Sequence, residues 1–335
     1  MPELLDGIED LAVGTSFSGV IRVDLRGEVA LARAYGMANR ANEIPNRIES
    51  QFAIASGSKG LTALTVVSLV EEGRLQLADT ARSILAPDLP LLGEVTIEQL
   101  LSHRSGIGDY VDEDLGQVIT EHVLETPVHR LATTEDYLPV LDGRPAKFPP
   151  GERFSYCNSG YVVLALVAER ATGTSFHDLV QQRVCTPAGM ASTSFLRSDE
   201  LPRRAAVGYL AADGLRSNVL HLAVRGSGDG GIYSTAADIH ALWTALFDGR
   251  IVSREWVEEM VRPRSTTASG QTRYGLGLWL HRRDAPVLLE GYDAGVSFRT
   301  VHDPGGAFTY TVLSNTSDGA WPVVRRLDEV LVDAR

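Results

Sequence analysis

The chain has few cysteines and little positive charge. Its 335 residues contain two cysteines, Cys157 and Cys185, which are too few for a disulfide framework. We expect two reduced, buried thiols, with a single bridge between them as the alternative. The net charge of −12 argues against a nucleic-acid partner, because phosphates would be repelled. No apolar run reaches about 18 residues, so no transmembrane helix is expected.

The sequence also lacks recognised metal-binding patterns. The eight histidines are scattered, and no His-Glu-x-x-His or Cys/His cluster occurs. His122 and His129 are seven residues apart, which is no established ligand spacing. The acidic N-terminus has neither the basic region nor the apolar core of a signal peptide, and it predicts a cytoplasmic protein. We expect a small-molecule substrate as the partner, without nucleic acid or membrane; the sequence leaves the oligomeric state open.

Strand-like patterns lie at both ends of the chain. Residues 17–25 and 29–35 alternate around a turn and predict a β-hairpin, and β-rich segments return at 274–280, 287–289, 296–301 and 308–313. Between them the apolar spacing is mostly helical, and a last helix is predicted over 322–332. Ser234 and Thr235 before Asp238 predict a capping box at the start of one of these helices. A lone hairpin is barely stable, so the two ends should form one sheet. We predict a single α+β unit over 1–335, with a sheet subdomain (1–60 and 270–335) and a mainly helical subdomain (61–269).

The strongest chemical signal is Ser56-x-x-Lys59. A helical apolar repeat follows it, so Ser56 falls in the first turn and Lys59 lies one turn further along. Residues three apart share a helix face, which brings the amine to the hydroxyl. A lysine held in a dry, cation-rich pocket can lose its proton and act as the base that a serine nucleophile needs.

A second signal is Tyr156-Cys157-Asn158, which follows a Pro/Gly loop and precedes a buried helix. In an extended segment residues two apart point the same way, so Tyr156 and Asn158 should face one site. A phenol beside a lysine cation can be held partly as phenolate and can take and return a proton. The amide of Asn158 can bind a substrate carbonyl and hold the lysine.

These motifs resemble those of the serine β-lactamase and penicillin-binding-protein superfamily, specifically its class C β-lactamase, D,D-peptidase and esterase branch. That branch uses Ser-x-x-Lys with Tyr-x-Asn. Three further segments match in order, namely residues 100–106 (Leu-Leu-x-His-Thr-Ser-Gly in the family), 187–190 (Pro-Leu-Gly-Met) and 229–238 (Gly-Gly-Leu-x-Ser-Thr-x-x-Asp). The resemblance covers roughly residues 15–332. It implies the family's antiparallel sheet with flanking helices, an inserted helical region, and no metal or organic cofactor.

One segment departs from the family pattern. Where the family carries Lys-Thr-Gly or His-x-Gly on a strand lining the site, this chain has residues 290–298. If Tyr292 takes the place of the lysine or histidine, the motif reads Tyr-Asp-Ala and its final glycine is missing. If Asp293 takes that place, the motif reads Asp-Ala-Gly and an acid replaces the cation. Either way the cation is lost, which favours esters, amides or amines over carboxylate-bearing substrates. Asp293 facing the pocket would attract a cation or a hydroxyl donor. The alternative is that it points away and is held by a backbone or arginine partner, such as Arg299.

The resemblance assigns roles to these residues. Ser56 is the nucleophile, Lys59 and Tyr156 share acid–base work, and Asn158, Tyr292, Asp293, Gly295 and Val296 bind substrate. The backbone N–H groups of Ser56 and Val296 should donate hydrogen bonds to the oxyanion, with the Gly295 N–H as the alternative to that of Val296. We expect a serine hydrolase that acts through an acyl-enzyme on a small ester, amide or β-lactam-like carbonyl. The alternatives are an acyltransferase or a non-catalytic binding or sensor protein.

Two further patterns have simpler explanations. Gly226-x-Gly228-x-x-Gly231 fits a dinucleotide fingerprint, but no βαβ unit surrounds it, so a glycine-rich turn is predicted. His103 falls at the end of a helix, where a structural role is expected.

Overall fold

The two ends of the chain build one antiparallel sheet in this computed structural model. The structure describes residues 5, 7–85, 88–89, 93–116, 118–267, 272–281 and 286–333. The localisation prediction rests on residues 1–10, and half of these, 1–4 and 6, lie outside these ranges. The eight-stranded sheet joins β1 (Gly19–Leu25) to β12 (Phe308–Ser314), so strands from opposite ends of the chain are neighbours.

The full sheet has the order β2-β1-β12-β11-β10-β9-β8-β7. Its other strands are β2 (Glu28–Tyr35), β7 (Ser265–Thr266), β8 (Thr272–Tyr274), β9 (Trp279–His281), β10 (Val287–Asp293) and β11 (Val296–His302). Two short strand pairs lie apart, β3 (Met37–Asn39) with β4 (Ile44–Pro45) and β5 (Phe52–Ala53) with β6 (Tyr233–Ser234). The mixed α+β fold with a large antiparallel sheet confirms the predicted fold class. The division into two subdomains stays a prediction.

The helices occupy both faces of the sheet. They are α1 (Ile8–Gly14), α2 (Ser58–Glu71), α3 (Ala81–Leu85), α4 (Ile97–Leu101), α5 (Leu138–Leu141), α6 (Asn158–Thr172), α7 (Phe176–Val180), α8 (Thr186–Ala188), α9 (Ala236–Phe247), α10 (Arg254–Met260) and α11 (Ala320–Leu327). Helices α1 and α11 pack on one face over a smaller core, and the remaining helices pack around the main core on the other side, with α9 in contact with β1 and β12.

Helix α2 lies at the centre of the main core. Every residue from Ser58 to Leu69 is buried, so the helix is enclosed on all sides, whereas its sequence predicted one buried face. Each fully buried leucine or valine here contributes about 1.5–3 kcal/mol relative to an exposed one. This packing fixes the position of the residues that begin the helix.

Two local predictions differ from the structure. The strand predicted over 274–280 is split, because Gly277 has φ 80° and packs so closely on α2 that a Cβ would lie 2.0 Å from the Ala63 Cβ. At the start of α9, Thr235 accepts from the Asp238 N–H as predicted. The Asp238 carboxylate turns away and accepts from Ser192 and Thr193 instead, so only half of the predicted capping box forms.

Both cysteines remain free thiols and are buried, which confirms that prediction. Within the described ranges, no helix is both long enough and apolar enough to span a bilayer.

Candidate active site

Ser56 lies in a short 3₁₀ turn, Ala55–Gly57, that leads directly into α2. The turn is strained, because Ala55 has φ 43°, and the Ser58 hydroxyl stabilises it by donating to the Ala55 carbonyl at 2.8 Å. Position 57 has no room for a side chain, because a Cβ there would lie 2.4 Å from the Phe298 ring. The turn is therefore held between α2 and β11 and presents Ser56 to the cavity.

Lys59 makes three hydrogen bonds from a nearly fully buried position. Its Nζ lies 2.9 Å from the Ser56 Oγ, 2.8 Å from the Asn158 Oδ1 and 2.8 Å from the Asp229 carbonyl oxygen. The Asn158 and Asp229 oxygens can only accept, whereas the serine hydroxyl can accept or donate. A neutral amine therefore fits this cage as well as an ammonium does, with its lone pair directed at the Ser56 proton.

Burial lowers the pKa of Lys59, and this effect exceeds the opposite influence of the surrounding carboxylates, Asp229 first among them. The sequence suggested a site that lowers the lysine pKa by other cations. The structure shows an acidic site in which desolvation alone produces the shift.

Tyr156 lies beside both groups. The Lys59 Nζ is 4.9 Å from the centre of its ring. Burial, reinforced by repulsion from Glu113, holds the pKa of Tyr156 well above its usual value, and the influence of the Ser56 hydroxyl only partly opposes this. The resting phenol is therefore protonated, in contrast to the partial phenolate that the sequence suggested.

Asn158 is the first residue of α6 and is fixed from three directions. Its Oδ1 accepts from Lys59, its Nδ2 donates to the Val111 carbonyl at 2.9 Å, and its backbone N–H donates to Asp109 at 2.7 Å. Asp109 also accepts from the Ser159 N–H at 2.9 Å. A carboxylate from a distant loop thus caps this helix N-terminus, a role that no short-range pattern in the sequence indicated.

Strand β10 closes the other side of the site. Among the described residues, its neighbour β9 pairs with Val287 and Leu288 of β10. Beyond Leu288, the Ser56 turn takes the place of β9 along this edge of β10. Gly291 packs against this turn so tightly that a Cβ would lie 2.0 Å from the Ile54 carbonyl oxygen.

A family model described as Beta-lactamase matches residues 12–334. The chain belongs to the β-lactamase family.

Solved structures agree with this assignment. A penicillin-binding protein from Bacillus halodurans superposes with a TM-score of 0.90 at 32% identity, covering 97% of this chain and 100% of that one. A D-amino acid amidase from Ochrobactrum anthropi SV3 gives a TM-score of 0.79 at 26% identity, covering 98% and 97%.

A D-aminopeptidase from Cereibacter sphaeroides is 26% identical over 289 residues, which are 86% of this chain and 54% of that protein. The chain spans 54–65% of the length of this and three other curated relatives that it matches.

The structure suggests a different alignment of the β-lactamase family's Lys-Thr-Gly or His-x-Gly motif. On β10, the glycine that lies against the nucleophile turn is Gly291. We therefore propose that the motif corresponds to Leu289-Glu290-Gly291, whereas the two alignments considered from the sequence lie further toward the C-terminus. In this alignment Leu289, which packs on Gly60 of α2, takes the place of the cation. The cation is absent in all three alignments.

The other predicted residues of this strand have different environments. Asp293 is half-buried and lines the cavity, and its Oδ1 accepts from the Ala294 N–H at 2.8 Å. Arg299 is engaged with Glu290 and Asp328, so of the two alternative partners the backbone group is present and Arg299 is not. Tyr292 also lines the cavity; it is 45% exposed, and its ring contacts Trp321 of α11.

The two strand residues considered as the second oxyanion donor, beside Ser56, both have partners for their main chain. The Gly295 N–H donates to the Ser317 hydroxyl at 2.8 Å, and Val296 pairs with Asp293 at the end of the β10–β11 hairpin. Val296 does line the cavity.

An acidic cluster is the main feature that sequence reasoning missed. Glu113, Asp229 and Asp293 line one cavity of about 100 Å³ with Ser56, and the described lining includes no lysine or arginine. Tyr110 donates to the Asp229 carboxylate at 2.5 Å. Burial raises the pKa of Asp229, and burial with repulsion from Asp229 and Glu113 raises the pKa of Asp293 from 3.8 to about 7.

The glycine-rich segment forms a turn behind the site. A Cβ on Gly226 would lie 2.0 Å from the Gly230 carbonyl oxygen, and a Cβ on Gly228 would lie 2.0 Å from the Tyr161 carbonyl oxygen. These glycines permit close packing beside α6, as predicted for a structural turn. The described residues contain no group of three or more His, Cys, Asp or Glu side chains arranged to hold a metal ion.

Proposed function

We propose that this protein hydrolyses small esters or amides through an acyl-enzyme on Ser56, and that its preferred substrates carry a free amine instead of a carboxylate. The observation that carries the proposal is the position of Ser56, hydrogen-bonded to the buried Lys59, in a cavity lined by three carboxyl groups. The family assignment and the D-amino acid amidase likeness support the reaction class.

In the proposed reaction, neutral Lys59 accepts the Ser56 proton as the hydroxyl oxygen attacks the substrate carbonyl. The resulting ammonium is stabilised by Asn158 and the Asp229 carbonyl, which already accept hydrogen bonds from it. Protonated Tyr156 then donates its proton to the leaving group and recovers one from Lys59. Water repeats the sequence to release the acid.

We further propose that the oxyanion is bound by the N–H groups of Ser56 and Tyr292. The His281 N–H donates to the Pro286 carbonyl, which directs the main chain of Pro286 toward β9. Main-chain groups alternate along an antiparallel strand, so those of Leu288, Glu290 and Tyr292 point to the same edge. At Tyr292 that edge faces the Ser56 turn, and the donor does not depend on the tyrosine side chain.

The substrate preference follows from charge. A carboxylate entering this cavity meets Asp229, Asp293 and Glu113, whereas an ammonium is attracted by them. At an effective dielectric constant of about 20, a charge pair 4 Å apart interacts by about 4 kcal/mol, so even a screened pair can change kcat/KM by tenfold or more.

The test compares matched substrates. We expect kcat/KM to be at least about tenfold higher for D-phenylalanine p-nitroanilide than for its N-acetyl derivative, and p-nitrophenyl butyrate to exceed nitrocefin. Asp293→Asn should reduce the first ratio, whereas the same change at exposed Asp248 should leave it unaltered. Efficient nitrocefin hydrolysis that is unchanged in Asp293→Asn would refute the amine preference. The absence of any acyl-Ser56 adduct would refute the hydrolase itself.

A further inference from the structure

We infer that His103 is a positioning residue for catalysis, which fixes the Tyr156 phenol by binding the main chain on both sides of it. The inference rests on the proposed acid–base role of Tyr156.

The backbone at His103 is the first observation. Helix α4 ends in a Schellman-type turn, in which the Arg104 N–H donates to the Gln99 carbonyl at 2.7 Å and the His103 N–H to the Leu100 carbonyl at 3.3 Å. His103 occupies the left-handed position of this turn, with φ 55°. Glycine is favoured there, and other residues cost roughly 1 kcal/mol or more. A purely structural helix end would therefore be better served by glycine.

The hydrogen bonds of His103 are the second observation. Its carbonyl oxygen accepts from the Ser155 N–H at 2.9 Å, and its ring Nδ1 accepts from the Cys157 N–H at 3.1 Å. The residues immediately before and after Tyr156 are thus held by one residue. Because Nδ1 must accept, the neutral ring carries its proton on Nε2. That atom is buried and has no hydrogen-bond partner within the described part of the chain.

The aromatic contacts are the third observation. The centre of the His103 ring lies 4.3 Å from that of Tyr156, at an interplanar angle of 31°. The rings of Tyr161 and Tyr274 lie 5.0 Å and 4.7 Å from the histidine and restrict its own movement. Burial holds the pKa of His103 well below its usual value, and Lys59 adds to this effect when it is protonated, so the ring stays neutral and keeps its acceptor.

Together these contacts determine where the Tyr156 hydroxyl lies relative to Ser56. A displacement of about 1 Å in a catalytic group can cost about a hundredfold in rate. We therefore expect the loss of His103 to lower kcat while leaving KM for a neutral ester nearly unchanged, since no atom of His103 lines the cavity.

The experiment uses two variants of similar volume. His103→Leu removes the ring and the acceptor, whereas His103→Gln removes the ring but supplies an amide oxygen for the Cys157 N–H. With p-nitrophenyl butyrate we expect His103→Leu to lower kcat by about 10–100-fold and His103→Gln to recover part of that loss. Leu166→Ala, a core truncation in α6, serves as a control that lowers thermal stability without lowering kcat.

A double-mutant cycle separates the outcomes. If His103 acts through Tyr156, then His103→Leu should change kcat by less than about threefold in a Tyr156→Phe background. Fully additive losses, or wild-type kcat in folded His103→Leu, would overturn the inference. Wild-type activity in Tyr156→Phe alone would instead overturn the proposed function on which it rests.

Discussion

Replacing Asp293 by asparagine should stabilise the protein, and the gain should grow with pH. The carboxyl pKa is raised from 3.8 to about 7 in the folded state, mainly by burial. The folded protein therefore binds a proton between these pH values that the unfolded chain releases, and stability falls as pH rises through this window. Asparagine resembles the protonated acid and can still accept from the Ala294 N–H, as Asp293 does at 2.8 Å.

The size of the effect follows from the shift. About three pKa units at 1.36 kcal/mol each correspond to at most about 4 kcal/mol above pH 7. Asp293 is only half-buried, and water at the cavity mouth screens its charge, so we expect about 1–2 kcal/mol. For a chain of this length that is a rise of roughly 1–3 °C in Tm.

The assay is thermal unfolding of wild type and Asp293→Asn in steps from pH 4.5 to pH 8.5, with Asp248→Asn as the exposed control. The gain should be small near pH 4.5 and complete above pH 7. A gain that does not vary with pH, or a loss at pH 8.5, would show that the Asp293 carboxylate is not destabilised in the folded cavity.

Three further variants address the catalytic groups. Ser56→Ala should abolish fluorophosphonate labelling in intact-protein mass spectrometry; continued labelling would identify another nucleophile. Tyr156→Phe should lower kcat for p-nitrophenyl butyrate by about 10²–10⁴-fold, the usual range for a general acid–base group, and a change below threefold would exclude that role. Asp109→Ala should lower the free energy of unfolding by about 1–3 kcal/mol in urea titrations and also reduce kcat, because it uncaps α6 and frees Asn158; unchanged stability would contradict the capping role.

The sequence motifs predicted the groups whose spacing is local. Ser56 and Lys59 are three residues apart on one structural element, and Tyr156 and Asn158 are two apart, so helix and strand geometry bring each pair together. The family resemblance then correctly indicated that the two pairs meet. The β-hairpin near the N-terminus and the buried helices were also predictable, because their apolar periodicity is strong.

The remaining parts depend on long-range contacts. Asp109, Asp229 and Asp293 come from three distant segments, and no spacing in the sequence reports that they lie near one lysine. The frame of the β10 motif depended on which glycine touches the Ile54 carbonyl, a contact between residues 237 positions apart. For the same reason, the sequence predicted cations around Lys59, whereas the structure places carboxylates there.

The junction of β1 with β12 has a consequence for how the protein is made. Gly19 pairs with Ser314, so β1 has one of its two neighbours only after nearly 300 further residues have left the ribosome. Until then the N-terminal hairpin has an open edge, and an isolated hairpin is only marginally stable. Strand β10, which borders Ser56, is also synthesised late. A growing chain therefore cannot assemble the active site early, and we expect activity to arise in one late step, at a rate limited by closure of this long loop.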